Sequence, residues 1–168
     1  IAKVSRNTVI AIVKKKVIPP LVTTITPLRE RPILELDELW SYVGDKDHKV
    51  WIWLALERQT RRIVGLAFGD RSDATCRALW QSLPADYRKR AVLYSDGWAS
   101  YANVLPSKRL HQVGKDSGET AHIERFNNTL RQRCANLVRK TLSFSKDRKE
   151  HERRIRLFID HYNATLSV

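Results

Sequence analysis

The chain contains no methionine and, among 168 residues, only two cysteines, Cys76 and Cys134. The cysteines are far apart, and neither has a second Cys or a His at metal-ligand spacing. A zinc site is therefore unexpected, a structural disulfide has little support, and a reducing cytoplasmic setting is the expectation. With Ile1 in first place, the natural start is expected upstream, in a longer or fused product. Long apolar runs are missing as well. The longest, Val50 to Leu56, falls far short of a bilayer span, and no signal-peptide pattern opens the chain. Acid is scarce: 18 Asp and Glu stand against 31 Lys and Arg, a formal charge of +13.

The excess of base is uneven. Residues 1–32 carry seven Lys/Arg against one acid, residues 33–100 ten against ten, and residues 101–168 fourteen against seven. A neutral middle between two basic ends fits a polyanionic partner, with nucleic acid ahead of a membrane surface or simple solubility. At 42% hydrophobic and 29% charged residues, the composition is that of a folded globular chain.

Read in order, Ser5 can cap a short helix whose buried edge is Val9, Ile12 and Val13. Arg6, Asn7, Thr8 and Ala11 then face outward, ahead of Lys14, Lys15 and Lys16. Such a first turn could read base edges, with the lysines tracking the backbone; a solvated amphipathic helix is the plain alternative. Pro19, Pro20, Pro27 and Pro32 make 17–32 an extended linker. Ile33 to Val43 alternates as a strand, with Leu34, Leu36, Trp40 and Tyr42 on one face and Ile33, Glu35, Asp37 and Leu39 on the other. Gly44 to Asp47 reads as a turn, Val50–Leu56 and Ile63–Phe68 as the next two strands of an antiparallel meander. A helix over Ala74–Leu83 is capped by Ser72 or Asp73 and stopped by Pro84. Ala91–Ser95 is short and apolar, hence central and parallel, and runs straight into Asp96-Gly97. A short helix follows over Trp98–Val104, then a possible strand over Arg109–Val113.

Ile123, Phe126, Leu130, Cys134 and Leu137 recur at steps of three and four, one apolar helical stripe. On its flank a single acid, Glu124, is followed by Asn127, Asn128 and Arg131. Ser143 or Ser145 starts a last helix with Ile155, Phe158, Ile159 and Tyr162 inward.

Three strands, a helix, a strand, then helices is the element order of a ribonuclease-H-like fold, in which the first and fourth strands are neighbours. Asp37 would then lie beside Asp96, and a helix crossing the sheet could bring up Glu124. Converging carboxylates repel unless something offsets their charge. Two divalent cations do this and support in-line phosphoryl displacement. Taken singly, each acid has a plain alternative: Asp37 a sheet-edge or Arg-paired Asp, Asp96 an ordinary turn residue, Glu124 a helix-dipole partner. Glu35 and Glu119 are the nearest decoys. His111 and His122 read as structural or substrate-contacting.

The stretches Glu35-Leu36-Asp37-Glu38-Leu39-Trp40-Ser41-Tyr42-Val43-Gly44, Ser95-Asp96-Gly97-Trp98-Ala99-Ser100-Tyr101 and Ile123-Glu124-Arg125-Phe126-Asn127-Asn128-Thr129-Leu130-Arg131-Gln132 resemble the three acidic motifs of the insertion-sequence-one family of transposases. The resemblance runs from about Leu34 to Tyr162, through Arg139 to Lys146. It implies an α/β, ribonuclease-H-like (retroviral-integrase-like) mixed sheet flanked by helices, and an Asp-Asp-Glu transposase. Asp37, Asp96 and Glu124 fall on the catalytic, metal-holding triad, with two Mg2+ ions expected and Mn2+ as a substitute. Arg131, seven positions after Glu124, takes the place of a DNA-contacting base in related enzymes. Arg125, Asn128 and Arg133 are expected beside it on DNA, as are Arg6, Asn7, Thr8 and Lys14 to Lys16. The family's long form has an upstream zinc finger and helix-turn-helix, and Ser5 to Lys16 resembles the recognition helix of that module.

The expected organisation is a partial helix-turn-helix over 1–16, a linker over 17–32, a catalytic core over 33–142 and a helical extension over 143–168. The expected reaction is cleavage and transfer of DNA strands at an insertion sequence's terminal repeats and target, by a homodimer or higher assembly. A ribonuclease-H-fold nuclease without strand transfer, or a non-catalytic DNA-binding remnant or regulator, are the alternatives.

Overall fold

Ile33–Val43 forms strand β1, buried along most of both faces because a computed structural model places it in the middle of a five-stranded sheet. The structure describes residues 5–15, 31–138 and 144–166. The linker expected over 17–32 lies outside the described residues except for Arg31 and Pro32, as do Lys16 and most of the Arg139–Lys146 stretch.

The sheet also contains β2 (Asp45–Glu57), β3 (Ile63–Gly69), β4 (Val92–Ser95) and β5 (Leu110–Gln112), in the order β3-β2-β1-β4-β5. β1 and β3 both pair antiparallel with β2, whereas β4 is parallel to β1 and β5. The helices are α1 (Arg6–Lys15), α2 (Asp73–Ser82), α3 (Ala85–Arg90), α4 (Ala99–Val104), α5 (Ala121–Arg133) and α6 (Arg148–Thr165). This mixed α/β architecture is consistent with a ribonuclease-H-like fold.

The period of two along the strands decides which helices each residue meets. Leu34 and Leu36 of β1 join Trp53 and Ala55 of β2 and Val64 and Ala67 of β3 against Cys76, Leu79 and Tyr101 of α2 and α4. From the other face Leu39, Ile52, Leu54, Leu56, Ile63 and Leu66 meet Ile123, Phe126 and Leu130 of α5 and Ile155 and Ile159 of α6. Cys76 and Cys134 are buried, free thiols in these two separate cores. Gly65 marks a close approach: a Cβ there would come within 2.7 Å of Leu83 Cδ2 and 3.1 Å of the Ala55 Cβ.

Several expectations are corrected. Ile12 is 60% exposed and forms no buried edge of α1, while Ser5 Oγ does accept the Thr8 N–H at the helix start. The turn after β1 is tighter than expected: Gly44, at φ +79°, makes it and β2 already begins at Asp45. Pro84 ends α2 yet sits at the N-cap of α3, because a fixed φ that stops one helix suits the entry to the next. The last helix begins at Arg148, since the Asp147 carboxylate accepts the Glu150 N–H at 2.8 Å while the Ser145 hydroxyl is taken up by His151 and Asn136. α5 ends at Arg133, so Cys134 and Leu137 of the apolar stripe are delivered by the following turn.

Candidate active site

Parallel pairing brings the two aspartates level. Leu34 pairs with Leu93 and Glu35 with Tyr94, and Asp37 and Asp96 each lie two residues further along. The recorded β1–β4 pairing stops at Glu35–Tyr94, so the aspartates sit where the two strands part. Burial raises the Asp37 carboxyl to about 7, and the charges of Glu38 and Asp96 push the same way. Two contacts oppose the rise: Asp37 Oδ1 accepts the Glu38 N–H at 2.9 Å, and Oδ2 accepts from Asn127 Nδ2 at 2.7 Å. Asp96 Oδ1 accepts the Trp98 N–H at 3.0 Å, an aspartate-held turn that orients the carboxylate at the end of β4.

Glu124 stands on α5 one turn before Asn127, the residue that touches Asp37. It is exposed, and its Oε1 accepts from the Thr120 hydroxyl at 2.8 Å. Asp37 and Asp96 therefore lie within electrostatic reach of each other. Among the described residues, however, no group of three or more His, Cys, Asp or Glu side chains is drawn together closely enough to hold a metal ion. Asp37 and Asp96 fit a hard divalent cation by chemistry: both are oxygen donors, one is lifted toward neutrality by burial and like charge, and a cation reverses both effects.

Two further acids of β1 build the walls of this site. Glu35 is 1% exposed, and its Oε2 accepts the N–H groups of His122 and Ile123 at 2.9 and 3.0 Å, capping the start of α5. Arg58 Nε donates to its Oε1 at 2.8 Å, and the same guanidinium bonds the Glu119 carboxylate at 2.8 Å and lies over the Tyr94 ring at 4.6 Å. Glu38 points to the opposite face. It accepts from the Tyr101 hydroxyl at 2.8 Å and from Arg71 Nε at 2.7 Å, and burial raises its pKa against the pull of these two donors. Arg71 in turn lies 3.8 Å from the Trp98 ring centroid and 4.8 Å from that of Trp51. One glutamate thus anchors the helix that carries Glu124, and the other anchors the turn that carries Asp96.

Neither role was visible in the residue pattern, where Glu35 read as a decoy for Asp37. A signal did exist: three acids interrupt an otherwise apolar central strand, and buried acids demand partners. Asn127, Arg58, Arg71 and Tyr101 were missed for the same reason, since their partners are remote in sequence.

The expected DNA-contacting residues divide by location. Asn7, Thr8 and Lys15 are exposed on α1, which also carries Arg6 and Lys14; Lys16 is outside the described residues. Arg125, Asn128 and Arg133 are exposed on α5 and Arg131 is half-buried. Asn128, Arg131 and Gln132 line a cavity of about 450 Å³ with Leu137 and Val138. No helix among the described residues is long and apolar enough to cross a membrane.

A mixed sheet with two aspartates at the parting of its parallel strands, flanked by a basic helix, is an architecture suited to nucleic-acid chemistry. Residues 32–164 match the family model described as IS1 transposase, and the chain belongs to that family. It is 41% identical over 131 residues to the Insertion element iso-IS1n protein InsB of Shigella dysenteriae, covering 77% of this chain and 95% of that one. Identity to the Insertion element IS1 protein InsB of Shigella flexneri is 42% over 130 residues, covering 76% and 95% of the two chains. The Insertion element IS1 2 protein InsB of Escherichia coli K12 is 40% identical over 131 residues, 76% of this chain and 75% of that protein.

Proposed function

We propose that this chain is the Asp-Asp-Glu catalytic region of an IS1-type transposase on a ribonuclease-H-like fold, cutting and joining DNA strands with divalent cations. The observation that carries the reading is the level placement of Asp37 on β1 and Asp96 just past the end of the parallel strand β4, with Asp37 raised to about 7 by burial and by neighbouring charge. Asp37 and Asp96 would hold the cations, and Glu124 would complete the set by turning from Thr120. When bound, Mg2+, with Mn2+ as a substitute, supplies charge stabilisation at the attacking and leaving oxygens.

The chain's own residues do the rest. Asp37 and Asp96 present fixed oxygens, because Glu38, Asn127 and Trp98 hold them. Arg125, Arg131 and Arg133 on α5 would hold the phosphates of the transposon end, and α1 would lie along duplex DNA. Water adds to phosphorus at the element's end as the bond to the bridging 3′ oxygen breaks, and that oxygen leaves as a 3′-hydroxyl. The freed hydroxyl then attacks a target phosphodiester in line, forming one P–O bond as another breaks. Two ends must be joined, so the working form is a dimer or larger assembly on DNA.

A strand-transfer assay with a pre-cut terminal-repeat duplex, a target plasmid and Mg2+ tests the reading. Joined product is expected from the wild-type chain and none from Asp37→Ala or Asp96→Ala. Joining at an undiminished rate by either variant would overturn the assignment. Cutting without joining would instead assign a nuclease on the same fold.

A further inference from the structure

We propose that Asn127 is a positioning residue of the Asp37–Asp96 site, orienting the Asp37 carboxylate through Nδ2 and offering Oδ1 to the water shell of the bound divalent ion. The inference rests on the reading above and names a residue whose role that reading does not contain.

Asn127 is 5% exposed and sits among the apolar positions Ile123, Phe126 and Leu130 of α5. Its Nδ2 donates to Asp37 Oδ2 at 2.7 Å. The other oxygen of Asp37 accepts the Glu38 N–H at 2.9 Å. Each Asp37 oxygen therefore takes one protein donor and keeps lone-pair capacity for a further ligand, and a carboxylate held at both oxygens cannot swing. The bond also ties the turn of α5 that begins at Glu124 to the middle strand of the sheet.

The second half of the amide distinguishes this from ordinary packing. Asn127 Oδ1 is fully buried and has no hydrogen-bond partner among the described residues. A buried unmet acceptor destabilises the fold, a cost that an apolar side chain of similar volume would not incur. An unmet acceptor on the same amide that holds Asp37 matches the donors that a hydrated cation carries, since Mg2+ retains several of its waters when bound by carboxylates. Partners that orient a ligating carboxylate in this way commonly account for 10–100-fold in metal affinity.

The test is a Mn2+ titration followed by electron paramagnetic resonance, on the full chain bound to a pre-cut terminal-repeat duplex. Wild type is compared with Asn127→Leu, Asn127→Ala and Asp37→Ala. Leucine fills the same space and removes the unmet oxygen, a gain that offsets the lost bond to Asp37, so Asn127→Leu should fold and melt near the wild-type temperature. Asn127→Ala serves if leucine cannot be seated. Both Asn127 variants are expected to bind Mn2+ roughly 10–100-fold more weakly, with DNA affinity in EDTA unchanged. In cleavage, half-maximal rate should require correspondingly more Mn2+, a shift that loss of packing alone does not produce. Mn2+ affinity equal to wild type in either folded variant overturns the role of Asn127. If Asp37→Ala matches wild type, the reading of the site itself fails. Loss of Mn2+ in Asp37→Ala with wild-type affinity at both Asn127 variants rejects only the present inference.

Discussion

The Glu35 carboxylate and the Arg58 guanidinium meet at 2.8 Å on the floor of the sheet, and their pairing holds the N-terminus of α5 in place. Glu35 serves two partners at once, one oxygen for Arg58 and the other for the first two free N–H groups it reaches on the helix. Glu35→Ala should therefore act both on stability and on the position of Glu124. Removing one member of a buried pair costs about 3–5 kcal/mol. The low end is expected here, because Arg58 is 24% exposed and keeps Glu119. Urea unfolding followed by circular dichroism measures it; a change below 1 kcal/mol would mean that the cap on α5 is dispensable.

Tyr101→Phe removes the hydroxyl that Glu38 accepts and leaves that carboxylate with Arg71. Hydrogen bonds to charged groups contribute about 1.5–3 kcal/mol, so a loss of that order is expected in chemical denaturation. The phenylalanine ring keeps its edge contact with Trp53, whose centroid is 5.3 Å away, and the packing should survive.

His151 makes stability depend on acid. It is fully buried, bonded to Ser41 Oγ at 3.1 Å, Ser145 Oγ at 2.9 Å and Asn136 Nδ2 at 3.1 Å. Burial is the main cause that lowers its pKa from 6.5 to about 4; Arg154 and Arg148 add to it and Glu152 opposes it. Between these values the unfolded chain holds a proton that the folded chain refuses. Stability is therefore lost as pH falls from about 6.5 to about 4, by roughly 3 kcal/mol from this group. Unfolding curves at pH 7.5 and 5 should show a smaller difference for His151→Gln than for wild type. An identical difference would remove His151 from the account.

Arg125 and Arg133 are exposed on α5 and belong to no apolar core. If they contact phosphates, Arg125→Ala and Arg133→Ala should each weaken DNA binding across sequences. Each should also lower the slope of log affinity against log salt by about one. Melting temperatures should stay within a degree or two. Fluorescence anisotropy over a salt series reads both quantities; an unchanged slope would place the DNA elsewhere.

Much of this was legible in the residue order. Period-two alternation located β1, and the short apolar run before Asp96 marked a central parallel strand, which β4 is. The three- and four-residue steps from Ile123 to Leu130 set the inward face of α5. Helix ends were less legible. Ser145 and Asp147 are both capping residue types, and the choice between them was made by His151 and Asn136, which claim the serine from elsewhere in the fold.

Residue order alone carries the periodicities, the basic ends around a neutral middle, and the three acidic motifs that resemble those of transposases. Those properties are local or additive, so spacing and counting reach them. Alternation also put Glu35 and Asp37 on one face of β1, but what each acid holds emerged from the packed fold alone. Glu35 takes the start of α5, Asp37 takes Asn127, and Glu38 takes Tyr101 and Arg71. A buried carboxylate must be matched by donors, and apart from the Glu38 N–H those donors come from residues 23 to 90 positions away in the chain.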